Sequence, residues 1–291
     1  GTGLQAQIRN LREGRPKSGV YVVPMVMSYH FVLEAKSLIE QYLEQVGQHR
    51  YGGPIPAEET LPFVSTVNFF WKLFSSQTGI TVRIGEPLDI FGNFVDEEGR
   101  SLGPNGTVVD PAKWVTTAGE LKANPQRDQE YIHRLGRRLV ERYYRENTVL
   151  SSHLVAFAFF SALRRKYVDL DLFRFLRLNR PQRSLPYDAF LEEARAQHQK
   201  VKALADQGRL YLCEELKSQD PEVWIRDGIA NLGLLHSTPV LKVEDGAIWT
   251  EDMHVLYYYR NRLSGYGLSL LAGTGTRARQ PGELDEKGFL A

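Results

Sequence analysis

The ten residues from Val20 to Tyr29 constrain the fold of this chain more than any other stretch. Nearly all of them are β-branched, aromatic or otherwise apolar, and the run is too short to span a membrane and too rich in strand formers for a helix. It predicts a strand that is buried on both faces. Pro24 lacks a backbone N–H and marks where the strand stops being regular. In open α/β sheets, ligands bind beyond the carboxyl ends of such strands.

A short helix is predicted before this strand. Leu4, Ile8 and Leu11 recur at helical spacing, and Gly14 and Pro16 then end the helix. A helix, a loop and a buried strand make half of a crossover unit of a parallel sheet. We expect the other half to precede residue 1.

Three segments, in this order, resemble glycerol-phosphate acyltransferases. Residues Thr2 to Tyr29 are similar to the fourth conserved block of that family, in which a helix leads into a hydrophobic V-P-V strand followed by a small residue and an aromatic. Residues Ile80 to Leu88 are similar to the strand and G-E-P-L turn that follow this block. The run L-Y-Y-Y-R-N from Leu256 to Asn261 is similar to the H-Y-Y-R-N signature of the glycerol-3-phosphate and dihydroxyacetone-phosphate branch.

The resemblance implies an enzyme of phospholipid biosynthesis that transfers an acyl chain from acyl-CoA or acyl-carrier protein to glycerol 3-phosphate. It implies no cofactor beyond this co-substrate and no metal, and it implies peripheral contact with the cytoplasmic face of a membrane. The positions that match the lining of the acceptor or acyl site are Pro24, Met25, Ser28 and Tyr29. The family markers without an assigned role are Tyr258, Arg260 and Asn261.

The catalytic residues of that family have no counterpart in this chain. The family uses an H-x-x-x-x-D box, in which the histidine is the general base on the glycerol hydroxyl and the aspartate orients it. None of the seven histidines has an aspartate five positions later. Glu13-Gly14-Arg15 echoes the phosphate-binding E-G-x-R block, but it follows a helix where that block needs a strand. We therefore expect the base to lie upstream of residue 1 and the isolated chain to be inactive.

Composition narrows the class of protein. The chain has 291 residues, 42% hydrophobic and 24% charged, which is ordinary globular material for two domains. A formal net charge of +1 gives no argument for a nucleic-acid partner. Cys213 is the single cysteine and excludes an internal disulfide. We interpret it as a buried structural thiol.

Periodicity predicts an α/β fold with two domains and a tail. Residues 1–124 are expected, as the resemblance implies, to be the C-terminal part of an acyltransferase α/β domain. Residues 125–272 are expected to be a mainly helical domain arranged like a winged helix, and residues 273–291 a flexible tail. Ser151 or Ser152 is expected to cap the helix that follows them, and Asp245-Gly246 is typical of a tight hairpin turn. Helices are predicted over residues 31–46, 63–77, 128–147, 151–167, 187–207 and 250–263.

Several interpretations remain open at this stage. Arg83 could contact a phosphate or an acyl-carrier partner, or form a surface ion pair. The basic face formed by Arg134, Arg137, Arg138, Arg142 and Arg145 could meet phosphate or anionic lipid, or be a solvated face. The aromatic residues of 63–77 could pack on the sheet or meet lipid. The alternative functions are a dihydroxyacetone-phosphate acyltransferase and a non-catalytic module that binds a membrane or a partner.

Overall fold

The computed structural model describes residues 2–15, 19–30, 79–117, 120–121, 124–232 and 239–268. The chain is mixed α and β with several small sheets. It divides into two compact units, of which the first comprises residues 1–26 and 82–147 and the second residues 27–81 and 148–275. The helices predicted over 31–46 and 63–77 and the tail predicted over 273–291 lie outside the described residues.

The first unit begins with the predicted helix. Helix α1 spans Thr2–Arg12, and its buried Leu4 and Ile8 contribute to the core of the unit. Gly14 has a φ of 68°, a left-handed conformation that glycine adopts without strain. The amide of Arg15 then donates to a carbonyl of the last turn of α1 at 2.9 Å. The helix prediction and its stop signal are therefore confirmed.

The prediction of one strand buried on both faces is wrong. The chain forms two short strands instead, β1 (Tyr21–Val22) and β2 (Met25–Ser28), because Pro24 has no N–H to continue a ladder. Side chains alternate between covered and exposed positions, as they do where only one face of a strand is packed. Exposed apolar side chains occur on β2, on the residue before Pro24, on the strand paired with β2 and on the residue before that strand. They are Val23, Met25, Met27, Ile80, Val82 and Ile84, each 50–70% exposed.

The predicted half of a parallel crossover unit is also wrong. Strand β3 (Thr81–Ile84) pairs with β2 in a two-stranded ribbon, and β4 (Leu88–Asp89) pairs antiparallel with β1. A bond of 2.8 Å from the Gly85 amide to the Pro24 carbonyl joins the end of β3 to the start of β2, so these strands also run in opposite directions. An apolar run specifies extended backbone, but the direction of its neighbour depends on residues far along the chain.

The segment between residues 86 and 124 forms most of a small antiparallel sheet. Strands β5 (Phe94–Val95) and β6 (Ser101–Leu102) extend it in the order β1-β4-β5-β6. A short helix α2 (Ala112–Val115) and the strands β7 (Thr116–Thr117) and β8 (Glu120–Leu121) follow.

Helix α3 (Pro125–Glu146) completes the first unit and confirms the helix predicted over 128–147. Asn124 caps it by accepting a hydrogen bond from the Arg127 amide at 3.2 Å, and proline occupies the first helical position, where no N–H is needed. The core of the unit is formed by α1, the β4–β5 turn and α2, and its buried members are Leu4, Ile8, Ile90, Phe91 and Val115. The first unit thus includes the helix with which the predicted second domain begins.

The second unit is built around one helix that is buried on all sides. Its elements are β9 (Thr148–Val149), α4 (Ser151–Lys166), α5 (Leu172–Leu176), β10 (Ser184–Pro186), α6 (Tyr187–Asp206), β11 (Tyr211–Leu212), α7 (Pro221–Asn231), β12 (Leu241–Glu244), β13 (Ala247–Thr250) and α8 (Met253–Arg260). Helix α4 packs against α6, α7 and α8, and its residues 151–160 are all buried. The predicted serine cap is wrong, because Leu150 occupies the N-cap position and Ser151 is already helical.

The predicted hairpin is confirmed. Asp245 and Gly246 have φ values of 50° and 73°, as a two-residue turn with left-handed central residues requires. Strands β12 and β13 pair antiparallel on either side of it. Strand β10 adds a third strand beside β13 that was not predicted, since its Pro186 argues against a strand. This proline sits at the end of β10, where a missing N–H is tolerated.

Candidate functional site

The four residues predicted to line a substrate site lie on different sides of the chain. Pro24 and Ser28 are buried, whereas the side chain of Met25 is 54% exposed. Tyr29, just beyond β2, is half-buried. The structure therefore gives Pro24 and Ser28 covered positions and leaves Met25 on the open face of the ribbon. Their part in substrate binding stays a prediction.

The G-E-P-L turn is attached to this segment at Pro24. The side chains around Gly85 also leave little space. A Cβ added to Gly85 would lie 3.0 Å from the Cγ of Pro24 and 3.0 Å from the Cγ of Glu146. A larger residue at Gly85 would therefore have to displace both neighbours. The next residue, Glu86, accepts a hydrogen bond of 2.7 Å from Arg142 Nη2, which fixes the turn to α3.

The charged groups next to this turn form pairs. Of the roles left open for Arg83, the structure contains the ion pair, with its Nε 3.4 Å from Glu146 Oε2. The basic face of α3 is not one solvated surface, because Arg142 is only 6% exposed. On the same helix, Arg138 pairs with Glu141 at 3.0 Å. We correct Arg142 from a surface residue to a buried partner of the G-E-P-L turn.

The third motif segment is attached to the residue that follows Tyr29. The hydroxyl of Tyr259 on α8 donates to the buried carbonyl of His30 at 2.6 Å. Asp252 holds the start of α8 by accepting from the amides of His254 and Val255, each at 3.0 Å. The helix predicted over 250–263 is therefore present, but it begins at Met253 after the Asp252 cap and ends at Arg260, with Tyr259 buried.

The other marker residues of α8 have packing contacts. The guanidinium of Arg260 lies over the rings of Phe160, at 4.8 Å, and Tyr257, at 4.7 Å. Its Nη1 donates to Ser264 Oγ at 3.0 Å, while its buried Nε has no hydrogen-bond partner in the part of the chain that the structure describes. Asn261 begins a single 3₁₀ turn and is exposed. The ring of Tyr258 packs edge to face against the ring of Tyr259, with 5.8 Å between the ring centroids.

A buried polar cluster surrounds the start of α4, and the sequence did not reveal it. His30 Nδ1 lies 2.9 Å from Ser152 Oγ, although the two residues are 122 positions apart. Ser151 Oγ donates to Asp227, and Asn231 Nδ2 donates to Asp227 Oδ1 at 2.8 Å. The signal in the sequence was Ser-Ser-His before an apolar helix, which we interpreted as a cap. Its partners come from distant segments that no local pattern connects to it.

The histidines of this cluster are neutral at neutral pH. Burial lowers the pKa of His30, although the charges of Asp227 and Glu215 oppose this. Burial also brings the pKa of His153 well below its ordinary value. A neutral imidazole beside a serine hydroxyl is the pair that nucleophilic catalysis uses, but Ser152 is fully buried and closed to solvent. We therefore assign the cluster to holding residue 30 against α4.

Cys213 lies at the edge of this cluster. Burial raises the pKa of its thiol to about 12, so the thiolate is scarce at neutral pH. Its amide donates to the Val149 carbonyl at 3.0 Å, next to the short parallel pair of β9 and β11. Cys213 is only partly buried, so these contacts fit a structural thiol but not the full burial that the sequence predicted.

No group of three or more His, Cys, Asp or Glu residues in the described ranges is placed to hold a metal ion. No helix within those ranges is both long and apolar enough to cross a bilayer.

Comparisons with known proteins add no family. No protein-family model, no curated protein and no solved structure matches this chain.

Proposed function

We propose that these 291 residues are part of a glycerol-3-phosphate O-acyltransferase, in the α/β and helical arrangement that the resemblance implies. The observation that carries the proposal is that each of the two later motif segments has a hydrogen bond to the first segment or to the residue directly after it. Within the first unit, the G-E-P-L turn bonds to Pro24, and within the second unit, Tyr259 of the aromatic motif bonds to His30, from 229 positions away. Such contacts hold motif residues in place, and an enzyme needs its functional groups in fixed positions.

In the proposed reaction, an upstream segment supplies the general base and this chain supplies residues that line the acceptor or acyl site. The histidine of an H-x-x-x-x-D box removes the proton from a hydroxyl of glycerol 3-phosphate, and the oxygen then attacks the acyl thioester and expels the thiol. Pro24, Met25, Ser28 and Tyr29 are assigned to the lining of the acceptor or acyl site by the resemblance. None of these four residues is a histidine, so the proposal places the general base in the upstream box.

An acylation assay on two lengths of the protein tests this proposal. We expect the chain of 291 residues to transfer no acyl group to radiolabelled glycerol 3-phosphate from either acyl-CoA or acyl-carrier protein. A longer protein that includes the histidine box is expected to form radiolabelled, solvent-extractable lysophosphatidate. Turnover by the short chain would refute the argument for a missing base, and an inactive but folded longer protein would refute the assignment as an acyltransferase.

One observation favours the second candidate function, a module that binds a membrane. The open face of the ribbon carries Val23, Met25, Val82 and Ile84, all aliphatic or thioether side chains that are at least 50% exposed. Tyr21 lies two residues before Val23, so it continues the alternation of exposed side chains, and it is 42% exposed. Tyrosine suits the boundary between water and lipid, and an exposed apolar face of this kind is typical of contact with an apolar phase. We assign the face to the interfacial region of a bilayer.

Sedimentation with phosphatidylcholine vesicles tests the membrane assignment. Met25→Glu and Ile84→Glu are expected to reduce the bound fraction, since each places a charge in the apolar contact. Val108→Glu is the matched control, because Val108 is an apolar residue of the same unit that is 57% exposed away from the ribbon. Equal binding by all three variants would contradict the assignment.

A further inference from the structure

The first unit has a shallow recess at the start of α3 with an unusual lining. Three cationic side chains and two aromatic rings surround it, and its volume is about 500 Å³, which is in the range of small-molecule sites. The lining residues are Lys113, Trp114, Thr116, Arg127, Tyr131 and Arg134. No motif of the resemblance includes any of them.

The aromatic wall of the recess is fixed by the core. The rings of Trp114 and Tyr131 lie 5.8 Å apart, and the Tyr131 hydroxyl donates to the Trp114 carbonyl at 2.9 Å. Phe91, which is fully buried, packs behind both rings at 5.2 and 4.9 Å. The wall is therefore preformed, and a ligand would not have to order it.

Two of the cations are not neutralised by the protein. Arg134 lies 4.9 Å over the ring of Trp114 and donates to the neutral amide oxygen of Asn93 at 3.2 Å, which leaves most of its N–H donors for another acceptor. Lys113 is exposed, and neither it nor Arg134 has a carboxylate partner among the residues that the structure describes. Arg127, by contrast, is paired with Asp128 at 2.9 Å.

The first turn of α3 adds to the positive field. Arg127 is the third residue of this helix of 22 residues, whose N-terminal end carries a partial positive charge. The recess thus combines a preformed aromatic wall, two uncompensated cations and the positive end of a helix. A guanidinium presents a fork of donors that matches phosphate oxygens, and an ammonium adds a mobile point charge.

We propose that this recess binds an anion that carries a phosphoryl group. Lys113 and Arg134 contact the phosphoryl oxygens, and the organic part of the ligand lies against Trp114. The site does not depend on the acyltransferase proposal, because none of its residues belongs to the motif segments. The phosphoryl group can belong to a soluble phosphate monoester or to a lipid headgroup, since both present the same oxygens.

Binding of inorganic phosphate and of vesicles tests the site and separates these sources. Calorimetry on the full chain at low ionic strength measures the first, and sedimentation with phosphatidylcholine vesicles, with and without phosphatidic acid, measures the second. If the ligand is a soluble phosphate, Lys113→Ala and Arg134→Ala are each expected to weaken phosphate binding about tenfold. If it is a lipid headgroup, each is expected to weaken binding to the phosphatidic-acid vesicles by the same factor. About tenfold is the effect of losing one charge-assisted hydrogen bond.

Arg137→Ala is the matched control. It removes the same charge from an exposed position of the same helix, outside the recess, and is expected to leave binding within about twofold. Loss of phosphate binding in the recess variants identifies a soluble ligand, and loss confined to phosphatidic-acid vesicles identifies a headgroup. The proposal is overturned if neither probe binds, or if Arg137→Ala weakens binding as much as the recess variants do.

Discussion

At the scale of single residues, the segment after β2 is held by buried polar contacts. His30 accepts a hydrogen bond at its carbonyl from Tyr259 and places its ring beside Ser152. Buried polar groups are stabilising when paired and strongly destabilising when a partner is removed. Single substitutions that remove a partner of His30 are therefore expected to lower the stability of the folded chain measurably.

Removing the hydroxyl of Tyr259 tests the contact between the aromatic motif and residue 30. Tyr259→Phe leaves the buried carbonyl of His30 without its donor and is expected to lower the free energy of unfolding by about 1–3 kcal/mol. Tyr257→Phe is the matched control on the same helix, since the Tyr257 hydroxyl has no hydrogen bond within the described ranges. Urea denaturation measures both, and equal losses would contradict the special position of Tyr259.

The neutral histidines predict a dependence of stability on pH. Because burial lowers the pKa of His30 and His153 in the folded state below the ordinary 6.5, the unfolded chain binds more protons in that range. Stability is therefore expected to be insensitive to these groups above about pH 6.5 and to fall as the pH is lowered below it. His153→Gln is expected to make the decline between about pH 6.5 and 5 shallower. An unchanged slope in urea denaturation would show that His153 is not responsible.

At the scale of elements, the close approach of α7 to α4 depends on one glycine. A Cβ on Gly228 would lie 2.6 Å from Val155 Cγ2 and 2.8 Å from the Ser151 carbonyl oxygen. These distances are shorter than any van der Waals contact, so the helices would have to move apart. Both partners lie on α4, the buried centre of the second unit.

Two glycine substitutions of opposite expected effect test this packing. Gly228→Ala is expected to lower the free energy of unfolding by about 1–3 kcal/mol, because overpacking forces backbone shifts. Gly136→Ala in α3 is expected to raise it by about 0.5–1 kcal/mol, because alanine favours the helix and no atom lies within 4 Å of its Cβ. Thermal and urea denaturation show directly whether each substitution raises or lowers the free energy of unfolding. A stabilising Gly228→Ala would contradict the packing described for α7.

Elements with local signals were predictable from the sequence, and those without were not. Helices α1, α3 and α6 follow from apolar periodicity and turn residues, and the β12–β13 hairpin follows from Asp245-Gly246. The residues from Val20 to Tyr29 were misjudged because an apolar run indicates a strand but not how many of its faces are covered. Strand β10 was not predicted because it contains Pro186, and a proline argues against a strand.

At the scale of the whole molecule, several contacts join segments that lie far apart in the sequence. The sequence placed three motif segments in order, but it could not show that the aromatic motif bonds to the residue after β2 or that Ser152 meets the ring of His30. It also could not show the recess at Trp114, whose lining comes from α2, β7 and α3. Such sites are created by packing between elements, which periodicity and motif spacing do not specify.

The central proposal is that these residues belong to an acyltransferase whose proton-accepting histidine lies in an upstream box. The most direct test is the initial rate of glycerol-3-phosphate acylation by the longer protein. Replacing the box histidine by alanine is predicted to lower the rate by about 10²–10⁴-fold, as loss of a general base does. His254→Asn, on α8 of this chain, is predicted to stay within about threefold of the unmodified protein, since it removes no general base. A large loss with His254→Asn, together with a retained rate in the box variant, would contradict the claim.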